Sequence, residues 1–362
     1  MQASAIMVAP PISSAVSLIS IGFFCAANSS DPVPSEGQPV GEFLKRSRNE
    51  LLDPDRILLL MGPTGIGKTQ LAMDLQDALG GPSKAQLISV DSAMIYRGMD
   101  IGTAKPTKDE LLRYPHDLVD ILDPSQPYSV ADFVVDADRC VSTALEAGKK
   151  PILVGGTMMY LRNFVRGIAS LPSSSALESE MLKQELATKG SQVLHDELRR
   201  IDPRAAEKIH PNNHQRLVRA VSLVRHAGIP LLEQWQRSAG QDVHQRLNRP
   251  LTLMAMVPEH RAWLHERIDK RFDSMIAGGF VDEVKHLLAR GDLEENMPSM
   301  RAVGYRQAWR YLTHQDDFDT FSAKAKAASR QLAKRQLTWI RQWPEVAIVE
   351  TSGQTGGLSA FC

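Results

Sequence analysis

The chain has 362 residues, 43% of them hydrophobic, enough for one large core or for a core with a smaller inserted domain. Its 42 basic and 42 acidic side chains cancel to a formal net charge of +0, so affinity for a polyanion has to come from charge segregated on part of the surface. Cys25, Cys140 and Cys362 lie far apart, with no CxxC pair or His-rich neighbourhood, which excludes a disulfide framework and a zinc site and fits free thiols in a reducing cytoplasm.

Residues 1–55 are rich in Ser, Pro, Ala and Gly and carry an apolar run over 15–27. No Lys or Arg precedes that run and serines interrupt it, so neither an export signal nor a membrane span is expected, and 1–55 reads as a disordered extension. From Arg56 short apolar runs alternate with helix-like stretches, the pattern of parallel strands joined by crossover helices. Strands are predicted over 57–61, 87–90, 152–154 and 251–256.

Gly62-Pro63-Thr64-Gly65-Ile66-Gly67-Lys68-Thr69 follows the first predicted strand and opens a helical pattern, the context that a Walker-A loop requires. Glycines there let backbone N–H groups turn inward around a diphosphate, Lys68 adds a positive charge, and the Thr69 hydroxyl is a candidate Mg²⁺ ligand. Such loops are common in ATP-binding and other nucleotide-binding proteins, yet the motif specifies a diphosphate rather than ATP.

The second strand runs directly into Asp91. A carboxylate at the carboxyl end of a parallel strand, adjacent to the phosphate-loop strand, faces the crevice where such sheets bind ligands. Read generically, Asp91 resembles the Walker-B aspartate that holds Mg²⁺ through water. Segment 168–211 is charged and helical without a strand candidate, so it reads as a helical insertion in an α/β core made of 56–167 and 212–345. Segment 260–343 is helical, broken at Gly278-Gly279 and over 291–298, and 346–362 reads as a tail.

Between 322 and 344 the chain carries Lys324, Lys326, Arg330, Lys334, Arg335 and Arg341 and no acidic residue. At helical spacing Lys326, Arg330, Lys334 and Arg341 fall within an arc of about 80°, a stripe that fits a phosphate footprint or an ordinary solvated helix face. Arg216 and Arg219 read either as ion-paired or as phosphate-holding arginines, and His116 and His210 as supporting or capping groups. A P-loop, a lid-like insertion and arginines after it would, on these features alone, suggest a nucleotide or small-metabolite kinase.

Several separated motifs together resemble the tRNA dimethylallyltransferases (tRNA isopentenyltransferases). These are Asp91-Ser92-Ala93-Met94 with the run to Pro106, Tyr114-Pro115-His116-Asp117, Gly155-Gly156-Thr157, and Gln215-Arg216-Leu217-Val218-Arg219. Arg301-Ala302-Val303-Gly304-Tyr305-Arg306 and Lys334-Arg335-Gln336-Leu337-Thr338-Trp339-Ile340-Arg341 complete the set, and the likeness spans about 57–343. The phosphate loop departs at Gly65-Ile66, where the family has Ala-Ser, a small change because backbone N–H groups do the cradling.

The resemblance implies a P-loop NTPase-like α/β fold, a parallel sheet with flanking helices, whose helical insertion domain clasps a tRNA anticodon stem-loop. It implies transfer of a dimethylallyl group from dimethylallyl diphosphate to N6 of the adenosine 3′-adjacent to the anticodon, tRNA position 37, with Mg²⁺ as cofactor. By the same likeness Asp91 is the base, Lys68, Thr69 and Arg271 hold the diphosphate, and Thr157 lines the channel between the substrates. The tRNA contacts implied are Asp91, Ser92, Ala93, Met94, Thr157 and the segments 215–219, 301–306 and 334–341. A cytoplasmic, monomeric, bacterial enzyme is expected, since the zinc-finger tail of some eukaryotic relatives is absent. Two alternatives stay open: an adenylate isopentenyltransferase on the same fold, and a P-loop small-molecule kinase.

Overall fold

In the computed structural model the residues described are 51–168, 176–231, 233–234, 240–343 and 346–351. The expectations for 1–50 and 352–362 lie outside them. Apolar runs rich in Leu and Met with scattered β-branched residues form β1 (Ile57–Met61), β2 (Ala85–Val90), β4 (Lys150–Gly155) and β5 (Leu251–Pro258). With the two-residue β3 (His116–Asp117) and β6 (Ala347–Thr351) they make one six-stranded parallel sheet in the order β3-β2-β4-β1-β5-β6. The expectation that Asp91 follows a strand adjacent to the phosphate-loop strand is therefore corrected: β4 lies between β1 and β2 and pairs with both. β6 occupies the segment read as a tail, where its apolar run Ala347-Ile348-Val349 was too short to stand out.

Both faces of the sheet are covered, which is why the central strands are continuously apolar. Leu58, Leu60, Ile152, Val154 and Met254 pack on one side against α1 (Lys68–Ala78), α10 (Arg261–Ala277) and α13 (Phe318–Arg341). Ile57, Leu59, Met61 and Leu153 pack on the other against α3 (Val130–Glu146), α4 (Met158–Arg166) and α9 (Val243–Leu247). The helix α3 starts at a capping box in which Ser129 and Asp132 satisfy each other's backbone N–H. The short α2 (Lys108–Arg113) starts the same way, with Thr107 and Glu110. Leu51 joins the first cluster, and the fully buried Lys150 donates to the carbonyls of Asp53 and Arg56, so the chain is already fastened to the core from Leu51, within the segment read as an extension.

A third apolar cluster joins α10, α11 (Phe280–Ala289), α12 (Tyr305–Leu312) and α13 through Phe272, Phe280, Tyr305 and Phe321. The break read at Gly278-Gly279 is real: Gly279 takes φ 94°, a left-handed turn that separates α10 from α11.

The helical body consists of α5 (Ala176–Lys189), α6 (Ser191–Ile201), α7 (Pro203–Lys208) and α8 (His214–Ala227). The expected boundary at 211 cuts this body in two. Leu217, Ala220, Val221 and Val224 form an apolar stripe on α8 that needs a partner, and it packs on Leu194 and Leu198 of α6 and Leu182 of α5. Arg225 pairs with Glu185 at 2.8 Å and Glu197 at 2.6 Å, and Asp202 both caps α7 and accepts from Leu231 N–H, so the unit runs on to 231. Among the described residues no helix is long and apolar enough to cross a membrane.

Leu59 is fully buried in the central strand. Replacing it with Ala removes contacts that neighbouring strands cannot close over, so Leu59→Ala is expected to lower the unfolding free energy by about 3 kcal/mol in urea titration. A loss below about 1 kcal/mol would remove this residue from the core.

Candidate active site

At the carboxyl ends of β1, β4 and β2 three loops meet over a cleft of about 480 Å³. The loop after β1 is the glycine-rich one. Gly65 and Gly67 take φ of 80° and 105°, backbone that a side chain would strain, and Gly67 starts α1 with no side chain capping the helix. That leaves the first N–H groups of α1 without a side-chain acceptor beside a positive helix end, an arrangement suited to an anion. Lys68 and Thr69 line the cleft there, and Lys68 Nζ donates to Pro63 O at 2.8 Å. From the other side α10 brings Arg271, whose Nη2 donates to Thr103 O at 3.2 Å.

Lys68 keeps some contact with solvent but is surrounded by protein, and its pKa falls from 10.5 to about 7. Burial is the main cause, repulsion from Arg271 acts in the same direction, and Asp91 opposes both. Arg271 is pushed in the same direction, again mainly by burial, with Asp91 opposing and Arg267 reinforcing. Two cations thus crowd a poorly hydrated site, which a polyanion would relieve.

Asp91 stands where β2 ends. Its Oδ1 accepts from Ala93 N–H at 2.9 Å and Met94 N–H at 3.3 Å, and its Oδ2 has no hydrogen-bond partner among the described residues. Thr157, following β4, accepts from Ser92 N–H through Oγ1 at 3.1 Å, tying the two loops together. Ser92, Ala93, Met94 and Thr157 all line the cleft. His116 lines it too, with Nδ1 2.7 Å from Tyr114 O and a buried Nε2 that lacks a partner, while burial lowers its pKa.

The opposite wall is apolar: Ile268, Phe272 and Met275 of α10, with Phe280. These were not singled out in the sequence, although Ile268, Phe272 and Met275 share a helix face with Arg271 at the spacing of a lining helix. Arg267, also missed, donates from Nε to Gly65 O at 2.9 Å and so fastens α10 to the phosphate loop. Glu283 is a third. Its carboxylate accepts from the N–H groups of Asp100, Ile101 and Gly102 at 2.9, 2.7 and 3.1 Å and from the Tyr305 hydroxyl at 2.6 Å.

The segments expected to touch RNA divide. Arg301, Ala302, Val303, Gly304 and Tyr305 border the cleft, although Tyr305 is fully buried and its hydroxyl is committed to Glu283. Arg306 points elsewhere and pairs with Glu295 at 3.4 Å. Gln215, Arg216, Leu217, Val218 and Arg219 lie on α8 of the helical body, away from the cleft, with Leu217 wholly inside its core. On α13, Lys334, Arg335, Thr338 and Arg341 are exposed, Arg335 and Trp339 line the cleft, and Arg162 sits 5.6 Å over the Trp339 ring. Gln336, Leu337 and Ile340 are buried. Half of the basic stripe is a seam: Lys326 pairs with Asp273 at 2.6 Å and Arg330 meets both oxygens of Asp269 at 2.6 and 2.7 Å.

No group of three or more His, Cys, Asp or Glu among the described residues is arranged to hold a metal ion by itself. Mg²⁺ commonly keeps several waters and takes one or two protein oxygens together with substrate phosphates. Thr69, whose hydroxyl lies on the cleft at the start of α1, fits that donor set as a single protein oxygen.

The chain matches the family model described as IPP transferase over residues 94–343, more than half of its length. A tRNA dimethylallyltransferase of Chromohalobacter salexigens is 50% identical over 294 residues, covering 81% of this chain and 92% of the relative. The solved tRNA isopentenylpyrophosphate transferase of Bacillus halodurans is 34% identical with a TM-score of 0.57, over 82% of this chain and 90% of that one. The tRNA isopentenylpyrophosphate transferase of Staphylococcus epidermidis gives 31% and 0.56, over 83% and 94%. A eukaryotic dimethylallyltransferase acting on tRNA shares the fold at a TM-score of 0.66 and 23% identity, over 82% of this chain and 74% of that one. By sequence and by fold, the chain belongs to the IPP transferase family.

Proposed function

We propose that the protein is a tRNA dimethylallyltransferase: it moves a dimethylallyl group from dimethylallyl diphosphate to N6 of the adenosine 3′-adjacent to the anticodon. The supporting observation is a single cleft that holds Lys68, Thr69 and Arg271 at one part and Asp91 and Thr157 at another, with an apolar wall between α10 and the sheet. The diphosphate takes the cation-rich end and the isoprenoid the apolar wall. The target base, drawn out of the anticodon loop at a cost of a few kcal/mol, enters beside Asp91.

The exocyclic amine is a weak nucleophile because its lone pair is delocalised into the ring, so it has to lose its proton as it reacts. The N6 lone pair forms the new C–N bond to the allylic carbon, the C–O bond to diphosphate breaks, and the electron pair leaves on the diphosphate. The N6 proton passes to Asp91, whose Oδ2 is the oxygen not engaged by backbone N–H groups. Lys68, Arg271 and the N-terminus of α1 offset the charge that builds on the leaving oxygen. When bound through Thr69, Mg²⁺ would neutralise part of the diphosphate charge. The apolar wall keeps water from the electron-poor allylic carbon. A kinase reading would need ATP; the present one works with no nucleoside triphosphate. The decisive experiment supplies labelled dimethylallyl diphosphate with unmodified tRNA or with AMP and no ATP. Label in tRNA alone is expected; label in AMP, or no label in tRNA until ATP is added, would overturn the assignment.

The RNA grip is read as Arg301 and Arg335 at the cleft, Lys334 and Arg341 along α13, and the helical body clasping the anticodon stem-loop of a tRNA bound by one monomer. Asp91→Asn keeps an oxygen for the Ala93 and Met94 N–H groups while abolishing the base. It is expected to retain binding of both substrates and to lose about 10²–10⁴ in kcat; an unchanged kcat would remove Asp91 from that role. Replacing Lys334 and Arg341 together is expected to weaken tRNA binding and flatten its dependence on salt. Arg330→Ala, by contrast, breaks the pair with Asp269, and the expected result is a lower melting temperature with the salt slope unchanged.

Lys68 adds a pH signature. Its pKa in the free protein lies below that of the unfolded chain, so the unfolded chain binds more protons between about pH 7 and 10.5 and stability rises with pH across that window. A bound diphosphate restores the proton. Calorimetry in buffers of differing ionisation enthalpy is expected to record net proton uptake on binding at pH 8 that falls away by pH 6. Uptake that does not vary with pH would contradict a depressed Lys68.

A further inference from the structure

Gln336 lies within the basic segment 334–341 that family resemblance assigns to RNA contact, yet it is only 7% exposed and turns inward. Its Oε1 accepts from Thr64 N–H at 2.8 Å, and its Nε2 donates to Gly156 O at 2.8 Å. Those two groups belong to the loops that follow β1 and β4, neighbouring strands whose carboxyl ends frame the cleft. A primary amide is the side-chain group that offers an acceptor and a donor from one rigid plane, and glutamine has the reach to span both loops from α13. The fit is close: a Cβ at Gly156 would lie 2.4 Å from Gln336 Nε2.

The position of each partner matters. Thr64 immediately precedes 65–69, the stretch read above as the diphosphate cradle, so the amide fixes where that stretch begins without occupying any of its N–H donors. Gly156 immediately precedes Thr157, whose hydroxyl holds Ser92 N–H beside Asp91. One amide therefore sets the spacing between the phosphate loop and the loop that borders the acceptor side. It does so from a helix whose adjacent residue Arg335 and next-turn residue Trp339 line the same cleft.

We propose that Gln336 is a positioning residue of the phosphate loop rather than an RNA contact, and that it fastens the RNA-facing helix α13 to the diphosphate seat. The proposal rests on the reading of the cleft as a diphosphate and tRNA site. Without the amide, the half-buried Thr64 N–H and the buried Gly156 C=O lose their partner, and the phosphate loop relaxes away from its anion-ready shape.

The test uses the full chain carrying Gln336→Leu or Gln336→Glu, with folding checked by circular dichroism. The glutamate variant has the same length and keeps the acceptor for Thr64 but opposes the Gly156 carbonyl, so it carries the measurement where the leucine variant fails to fold. Binding of inorganic diphosphate and of unmodified tRNA is measured separately, together with KM for each substrate. The expected result is a rise of about tenfold or more in the diphosphate Kd and in KM for dimethylallyl diphosphate, with tRNA affinity within about twofold of wild type. Loss of tRNA affinity with diphosphate binding intact would make Gln336 an RNA contact, and no change in either would leave it without the role; both results overturn the proposal. Failure of the unsubstituted protein to bind dimethylallyl diphosphate would instead sink the function proposed above.

Discussion

A small, highly charged anion has to be held motionless a short distance from a carboxylate that would repel it, and the architecture around the cleft answers that constraint. The uncapped start of α1 contributes backbone N–H groups that cannot be titrated or swung away. Lys68 and Arg271 stand on the cleft with pKa values lowered mainly by burial, so the protein holds cationic groups at a site that disfavours their charge until an anion arrives. Groups fixed in advance in this way need no reorganisation when charge develops, which is where electrostatic stabilisation gains most over water.

Holding those groups requires supports well away from the chemistry. Arg271 reaches the carbonyl of Thr103, which belongs to the loop whose preceding N–H groups are gathered by Glu283. Glu283 in turn takes the hydroxyl of Tyr305, the buried residue that starts α12, and its ring packs edge-on against Phe280. A charge clamp at the cleft thus depends on the aromatic cluster behind it. Gly102 is pressed between Phe280 and Tyr305 with no room for a Cβ, so this loop and that cluster are built to one spacing.

What could be read in the sequence follows from how local each signal is. The phosphate loop, the strand ahead of it and Asp91 are contiguous patterns whose meaning lies in neighbouring residues, and the structure puts Lys68, Thr69 and Asp91 on one cleft. Strand order is not local: nothing in the run 85–90 says that β4 will slip between it and β1. Nor does a helical wheel reveal its partner. Lys326 and Arg330 share an arc with Lys334 and Arg341, but only the first two meet the acidic face of α10, and the stripe divides into a seam and a surface. The boundary of the helical body was misplaced for a related reason, since α8 carries family motifs on its exposed face and an apolar stripe on the other that commits it to α5 and α6. Glu283 and Arg267 carry no motif, and their partners, mostly backbone atoms, are distant in sequence, so spacing alone could not have picked them out.

The division of labour along α13 bears on how a neutral protein can hold a polyanion. Its formal charge of +0 leaves no long-range field to favour RNA, so grip has to come from a few cations displayed together on a rigid support. Lys324 of α13 pairs with Asp316, while Lys326 and Arg330 go to Asp273 and Asp269 and thereby fix the helix to α10. The C-terminal half, anchored inward by Leu337 and Ile340, presents Lys334, Arg335 and Arg341 outward. Ion pairs near the surface add little stability individually, but Arg330 Nη1, held by both oxygens of Asp269, still fixes how the two helices sit. The seam therefore acts less as a source of stability than as an aiming device: it settles which side of α13 stays exposed and which side closes over the cleft.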